Sequence, residues 1–194
     1  MDEADPNAAT RAFLTYVLIP AWLAAGLLDW QWHRVTKIER SAGAHESLTH
    51  VLMSLEAGAG IAAAMLFEID AGVIAAMLTS ALVHEATVVW DIAYTKHWRP
   101  IPQAEDHTHS FLEVLPFVAF AFAAFARPAQ ARAMIGLGDE RPRWRLRPNL
   151  RALPFASVLA VAAGGVLGVG PHVEELVRCL RVRPTLAPQP PPGR

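Results

Sequence analysis

The sequence predicts an all-α fold, an integral membrane helical bundle with four core transmembrane helices and a fifth near the C-terminus. Three observations lead there. Hydrophobic residues make up 53% of the chain and charged residues 18%, which is more apolar and less charged than an ordinary soluble domain. The apolar residues gather into runs close to the ~20 residues that cross a bilayer as a helix. No run shows the strict alternation of a half-buried strand.

The elements follow in order. Residues 1–11 form an N-terminal tail, acidic where a signal peptide is basic. The first span is 12–30. The second, 47–67, carries "EAGAGIAAAM", whose small residues let helices approach closely in lipid. The tight turn "EID" leads to the third span, 71–94. "TKHWRPIPQAED" joins it to the fourth, 108–126, and Pro102 suits the first turn of a helix, where its missing N–H costs nothing. Together 12–126 make a four-helix transmembrane bundle. Residues 127–151 form an Arg-rich loop, and its "RPRWRLR" reads as an interfacial loop in preference to a lipid-headgroup site. The Gly-rich stretch 152–170 is the fifth span. The tail 171–194 ends in a Pro-rich stretch expected to be disordered. Lys and Arg divide almost evenly between the two membrane faces, so charge sets no orientation. The expected setting is a multi-pass protein of a bacterial-type inner membrane or its equivalent.

Polar residues are unevenly placed on this scaffold. An up-down-up-down path brings the end of span one, the start of span two, the end of span three and the start of span four to one membrane face. Asp29 and His33 end the first span in "DWQWH". Glu46 and His50 open the second in "ESLTH". His84 and Asp91 lie near the end of the third, and His109 and Glu113 open the fourth in "HSFLE". Residues four apart on a helix point within ~40° of each other, and residues seven apart within ~20°. Each helix therefore aims one imidazole and one carboxylate into a common interior. That is the ligand chemistry of bundle cores that hold two iron or manganese ions. The expected metal ligands are Asp29, His33, Glu46, His50, His84, Asp91, His109 and Glu113, holding two metal ions. Iron is the leading choice, with zinc or manganese as alternatives. Glu105 extends the His109 stripe if its helix starts early. Glu56 and Glu85 lie off the shared faces, and His45, His97, His107 and His172 read as loop or surface residues.

The competing reading is a metal-free polar network at the water interface. Trp30, Trp32, Trp90 and Trp98 mark an aromatic belt at this face, and Arg34, Lys37, Arg40 and Arg99 offer ion-pair partners. It accounts for residues at the boundary better than for those lying deeper, since ionisable groups inside a membrane are costly and usually functional.

The expected function is a di-iron-type oxidoreductase (hydroxylase, desaturase or oxidase) acting on a lipophilic small molecule, with a separate electron donor and the lipid bilayer as partners. The architecture resembles the integral-membrane di-iron hydroxylases and desaturases. Their HxxxH and HxxHH boxes are missing here, so no residue role is carried over. Alternatives are a zinc-dependent hydrolase of a lipid amide or ester, a haem b electron carrier, and a transporter. A lone Cys179 precludes an intrachain disulfide. No GxSxG and no phosphate-binding glycine loop is present, and nothing points to nucleic acid.

Overall fold

A computed structural model describes residues 6–148 and 155–182. They form seven α-helices and contain no strand; the one β-type contact among them is an isolated antiparallel bridge between Phe67 and Pro148. Four helical stretches are long and apolar enough to cross a membrane: Ala8–Thr36, Gly43–Leu66, Ala71–Thr95 and Gln103–Ala126. Large apolar side chains, among them Leu28, Leu82, Val89, Phe111 and Phe125, lie exposed on the outside. A soluble monomer rarely shows so much apolar surface, whereas a bilayer covers it.

The first membrane helix is α1 (Pro6–Phe13) running through a π-turn at Leu14–Leu18 into α2 (Ile19–Thr36). Pro20 explains the turn. It has no N–H to donate and its ring crowds the preceding carbonyls. The widened turn absorbs this, with the Ile19 N–H reaching back to the Leu14 carbonyl. The helix therefore begins within the expected tail and ends beyond residue 30. It stops at Lys37, left-handed at φ 55°, whose N–H caps the His33 carbonyl. A short 3₁₀ turn, Ile38–Arg40, leads to Gly43, and its φ of 67° starts α3 (Gly43–Leu66).

The α3–α4 connection is the tight turn expected, with α4 spanning Ala71–Thr95. Pro102 does not enter α5; it caps it from outside in an extended conformation, and α5 spans Gln103–Ala126. The Arg-rich segment is not all loop, because α6 (Pro128–Met134) begins with Pro128 in its first turn. The rest folds back onto the α3–α4 turn. The Glu68 N–H donates to the Arg147 carbonyl and the Gly72 N–H to the Arg143 carbonyl, both at 2.9 Å. Buried Asp70 collects Arg127, Arg143 and Arg147. These arginines brace a turn, in place of the free interfacial loop expected.

Gly72 is required by that contact. A Cβ there would sit 2.5 Å from the Trp144 carbonyl oxygen. Gly72→Ala is therefore expected to lift the 143–147 segment off the bundle and cost about 1–3 kcal/mol. Faster tryptic cleavage at Arg143 and Arg145, with a lower unfolding midpoint in detergent, would register it.

The last helix, α7 (Phe155–Arg181), continues well past residue 170. It lies in the groove of α2 and α3, parallel to α2, with small residues facing large ones. Gly164 meets Ile19, Gly168 meets the Trp22 ring, Gly26 meets His172, and Glu175 bonds to His33. The expected disordered Pro-rich end falls outside the described residues.

The interior divides into two zones. Leu14, Leu18, Ile61, Met65, Ile74, Met77 and Ala119 belong to an apolar core at one end of the bundle. The buried ionisable residues gather at the other.

Candidate metal centre

At the polar end, α2 contributes Asp29 and His33, α3 contributes Glu46 and His50, α4 contributes Asp91, and α5 contributes Glu105 and His109. α7 adds His172 and Glu175. All are buried except His109, which is half-buried. The helices begin and end further out than the hydropathy runs, so Asp29, His33, Glu46 and Glu105 sit inside helices, sealed from water.

Asp29, His33, His50 and His109 converge most closely. Each offers one ligand atom, and these atoms lie within 4.8 Å of one another. The His109 Nε2 is 2.8 Å from Asp29 Oδ1, and the His33 Nε2 is 3.6 Å from the same oxygen. His33 and His50 stack face to face, with ring centroids 4.4 Å apart and planes 8° from parallel. Asp29 Oδ1 and the Nε2 atoms of His33, His50 and His109 are buried and make no aligned hydrogen bond. Buried polar atoms are nearly always hydrogen-bonded, so four that meet at one point with only ion-pair contacts require an explanation.

The Nδ1 atoms of His33 and His50 are satisfied. Glu175 spans both stacked rings, with Oε2 2.8 Å from His33 Nδ1 and Oε1 3.0 Å from His50 Nδ1. A carboxylate on the far nitrogen fixes the tautomer and turns Nε2 towards the centre, as the outer groups of metal-bound histidines do. Asp91 Oδ2 lies 3.6 Å from His50 Nε2, and its other oxygen accepts from the Thr49 hydroxyl. His172 adds a ring 5.9 Å from His50, and with His50 and Glu175 it forms a second candidate ligand group.

Arg99 closes the outer side. The turn after α4 carries its side chain inward, where it donates to Glu46 and Glu105. Burial works against its charge, but Glu105 and Glu46 hold its pKa above the ordinary arginine value. Glu105 is in turn 3.4 Å from His33 Nε2, and His33, Glu46 and Glu105 form a third candidate group. Outside this set, Arg34 pairs with Glu174 and Arg178 with Glu39, joining α7 to its neighbours at the surface.

Of the eight ligands expected from sequence, Asp29, His33, His50 and His109 meet at one point, Asp91 stands beside His50, and Glu46 turns to Arg99. His84 and Glu113 line the adjoining cavity and join none of the candidate groups among the described residues. His84 bonds instead to the Met53 carbonyl. Glu56 accepts from Thr87, a helix–helix hydrogen bond. His172, expected on the surface, is 4% exposed, because α7 continues through Pro171 and delivers it to the centre. Glu175 was not anticipated. The signal for both lies in the helical register: Gly164, Gly168, His172 and Glu175 recur at intervals of four, four and three, one continuous face.

The cavity beside the cluster has Trp22, Met53, Val88 and Leu112 among its walls. The protein is thus a membrane-helical bundle with buried His, Asp and Glu groups able to hold metal, opening on a largely apolar pocket. No known family, curated protein or solved structure matches the chain.

Proposed function

We propose that the protein is a membrane metalloenzyme whose cluster holds two iron ions and oxidises a lipophilic substrate taken from the bilayer. The observation that carries this reading is the convergence of four buried ligand atoms, Asp29 Oδ1 and three Nε2, beside a carboxylate that holds the Nδ1 atoms of His33 and His50. Charge supports two ions over one. Asp29, Glu46, Asp91, Glu105 and Glu175 are buried carboxylates, and Arg99 is the one guanidinium among the described residues of the cluster. With neutral imidazoles, two divalent ions balance the excess. The stacked His33 and His50 rings would offer one Nε2 to each of two ions. Ligands of nitrogen and oxygen without thiolate are compatible with iron, as with manganese and zinc.

Bound iron would supply dioxygen activation. Hydroxylation then balances as substrate C–H, one dioxygen, two electrons and two protons giving an alcohol and water, with the electrons from a separate donor protein. The chain's own residues orient the ligands (Glu175), offset charge (Arg99) and exclude water through the apolar walls.

A second reading has one specific observation in its favour. Three of these four converging groups would also hold a zinc ion with its fourth position left to water, and Asp91 would be a spare base for hydrolysis of a lipid amide or ester. Metal analysis of the detergent-purified protein, with absorption and electron paramagnetic resonance spectra, separates them. About two irons per chain supports the oxidase reading, and about one zinc the hydrolase. Absence of metal after mild purification, with no uptake on adding iron or zinc, overturns both.

The outer carboxylate gives a subtler test. Glu175→Ala frees both stacked rings and is expected to weaken metal binding about 10–100-fold. Competition with a chromophoric chelator would measure it.

A further inference from the structure

We infer that the substrate carries a hydroxyl or comparable hydrogen-bond donor, and that His84 receives it on the cavity wall away from the metal ligands. This rests on the reading above only in taking the cavity beside the cluster as the substrate pocket.

His84 is 4% exposed on α4. Its Nδ1 lies 3.1 Å from the Met53 carbonyl oxygen, which can only accept, so Nδ1 carries the hydrogen. Glu56 Oε2 stands behind this same nitrogen at 3.9 Å and does not compete for the other. In the neutral ring, Nε2 is then a bare acceptor, and it is buried without a partner. His84 lines the same cavity as His50, Asp91 and His109, with Trp22, Val88 and Leu112 between.

A pocket of this kind discriminates in one direction. An apolar wall accepts any hydrocarbon, but a buried acceptor disfavours a ligand that covers it without donating to it. His84 and Asp91 share a face of α4 two turns apart, about 10 Å along the axis. The ligand therefore reaches from a donor at His84 to a carbon framework against the cluster. A slender long-chain alcohol fits this description in a cavity of about 50 Å³, and plain alkanes do not.

The test uses the full chain in lipid nanodiscs and a long-chain primary alcohol carrying a diazirine, beside the matching diazirine alkane. After photolysis, labelled peptides are mapped by mass spectrometry, and metal is counted in the same samples. The alcohol is expected to label α3–α5 residues of the cavity, competed by unlabelled alcohol. H84F should cut this labelling about tenfold with metal content unchanged. H84Q, which keeps an acceptor, should restore part of it and serves as the reporter if H84F does not fold. Equal alcohol labelling in wild type and H84F, or an alkane that labels the cavity as well as the alcohol, overturns the inference. So does loss of metal in H84F or H84Q, which would make His84 a ligand. His84-dependent labelling in a wild-type protein that binds no metal would uphold the inference and remove the metalloenzyme reading alone.

Discussion

Alanine at His33, His50 or His109 is expected to strip the centre of metal while the helices stay inserted. Each substitution removes one of the four converging ligand atoms, which α2, α3 and α5 supply between them, and leaves three. His33 and His50 also carry the stacked pair and the Glu175 contacts, so their loss disturbs both ligand and support. His109 lies 2.8 Å from Asp29 and 4.0 Å from Glu105 but does not touch Glu175, so its loss leaves that brace intact. The predicted order of residual metal is therefore His109→Ala above His33→Ala and His50→Ala, all far below wild type. Metal per chain by plasma mass spectrometry, with helicity by circular dichroism as the folding control, checks it. Wild-type stoichiometry in all three would refute the assignment of this site.

The second large effect concerns Arg99. Glu46 and Glu105 are each fully buried, and their shared partner is this one guanidinium. Arg99→Met removes the cation and leaves two carboxylates without it. Breaking a buried ion pair from one side costs about 3–5 kcal/mol, because the stranded charge cannot regain water. Arg99→Lys should recover part of the loss, since one ammonium cannot serve two carboxylates as a planar fork does. Adding Glu46→Gln and Glu105→Gln to Arg99→Met should recover more. Thermal or denaturant unfolding in a fixed detergent gives the comparison. An Arg99→Met protein as stable as wild type would mean that this triad contributes nothing to the fold.

The bundle and the gathering of its polar groups at one end were legible in the sequence for a simple reason. Helix period and alternating chain direction are the only rules needed to bring 29, 33, 46, 50 and 109 to the same place. Depth was less legible. His84 shares a face with Asp91 but lies two turns further in, so one reaches the cluster and the other its cavity. Glu113 stands one turn beyond His109 and meets the same fate. Arg99 comes from a connection, where no periodicity reports which way a side chain turns. The contribution of α7 was hidden by Pro171, which reads as a stop after an apolar run. The helix passes through this half-buried proline to deliver His172 and Glu175.

Glu175 has one further consequence, for biosynthesis. The helix that bears it leaves the ribosome after the other four membrane-facing helices, and its parallel seat against α2 must be found across nearly the whole length of the chain. Until that docking, His33 and His50 lack the carboxylate that fixes their ring orientation. Completion of the cluster is thereby postponed until α7 has been made. A chain that stalls before α7 would carry the cluster without His172 and Glu175.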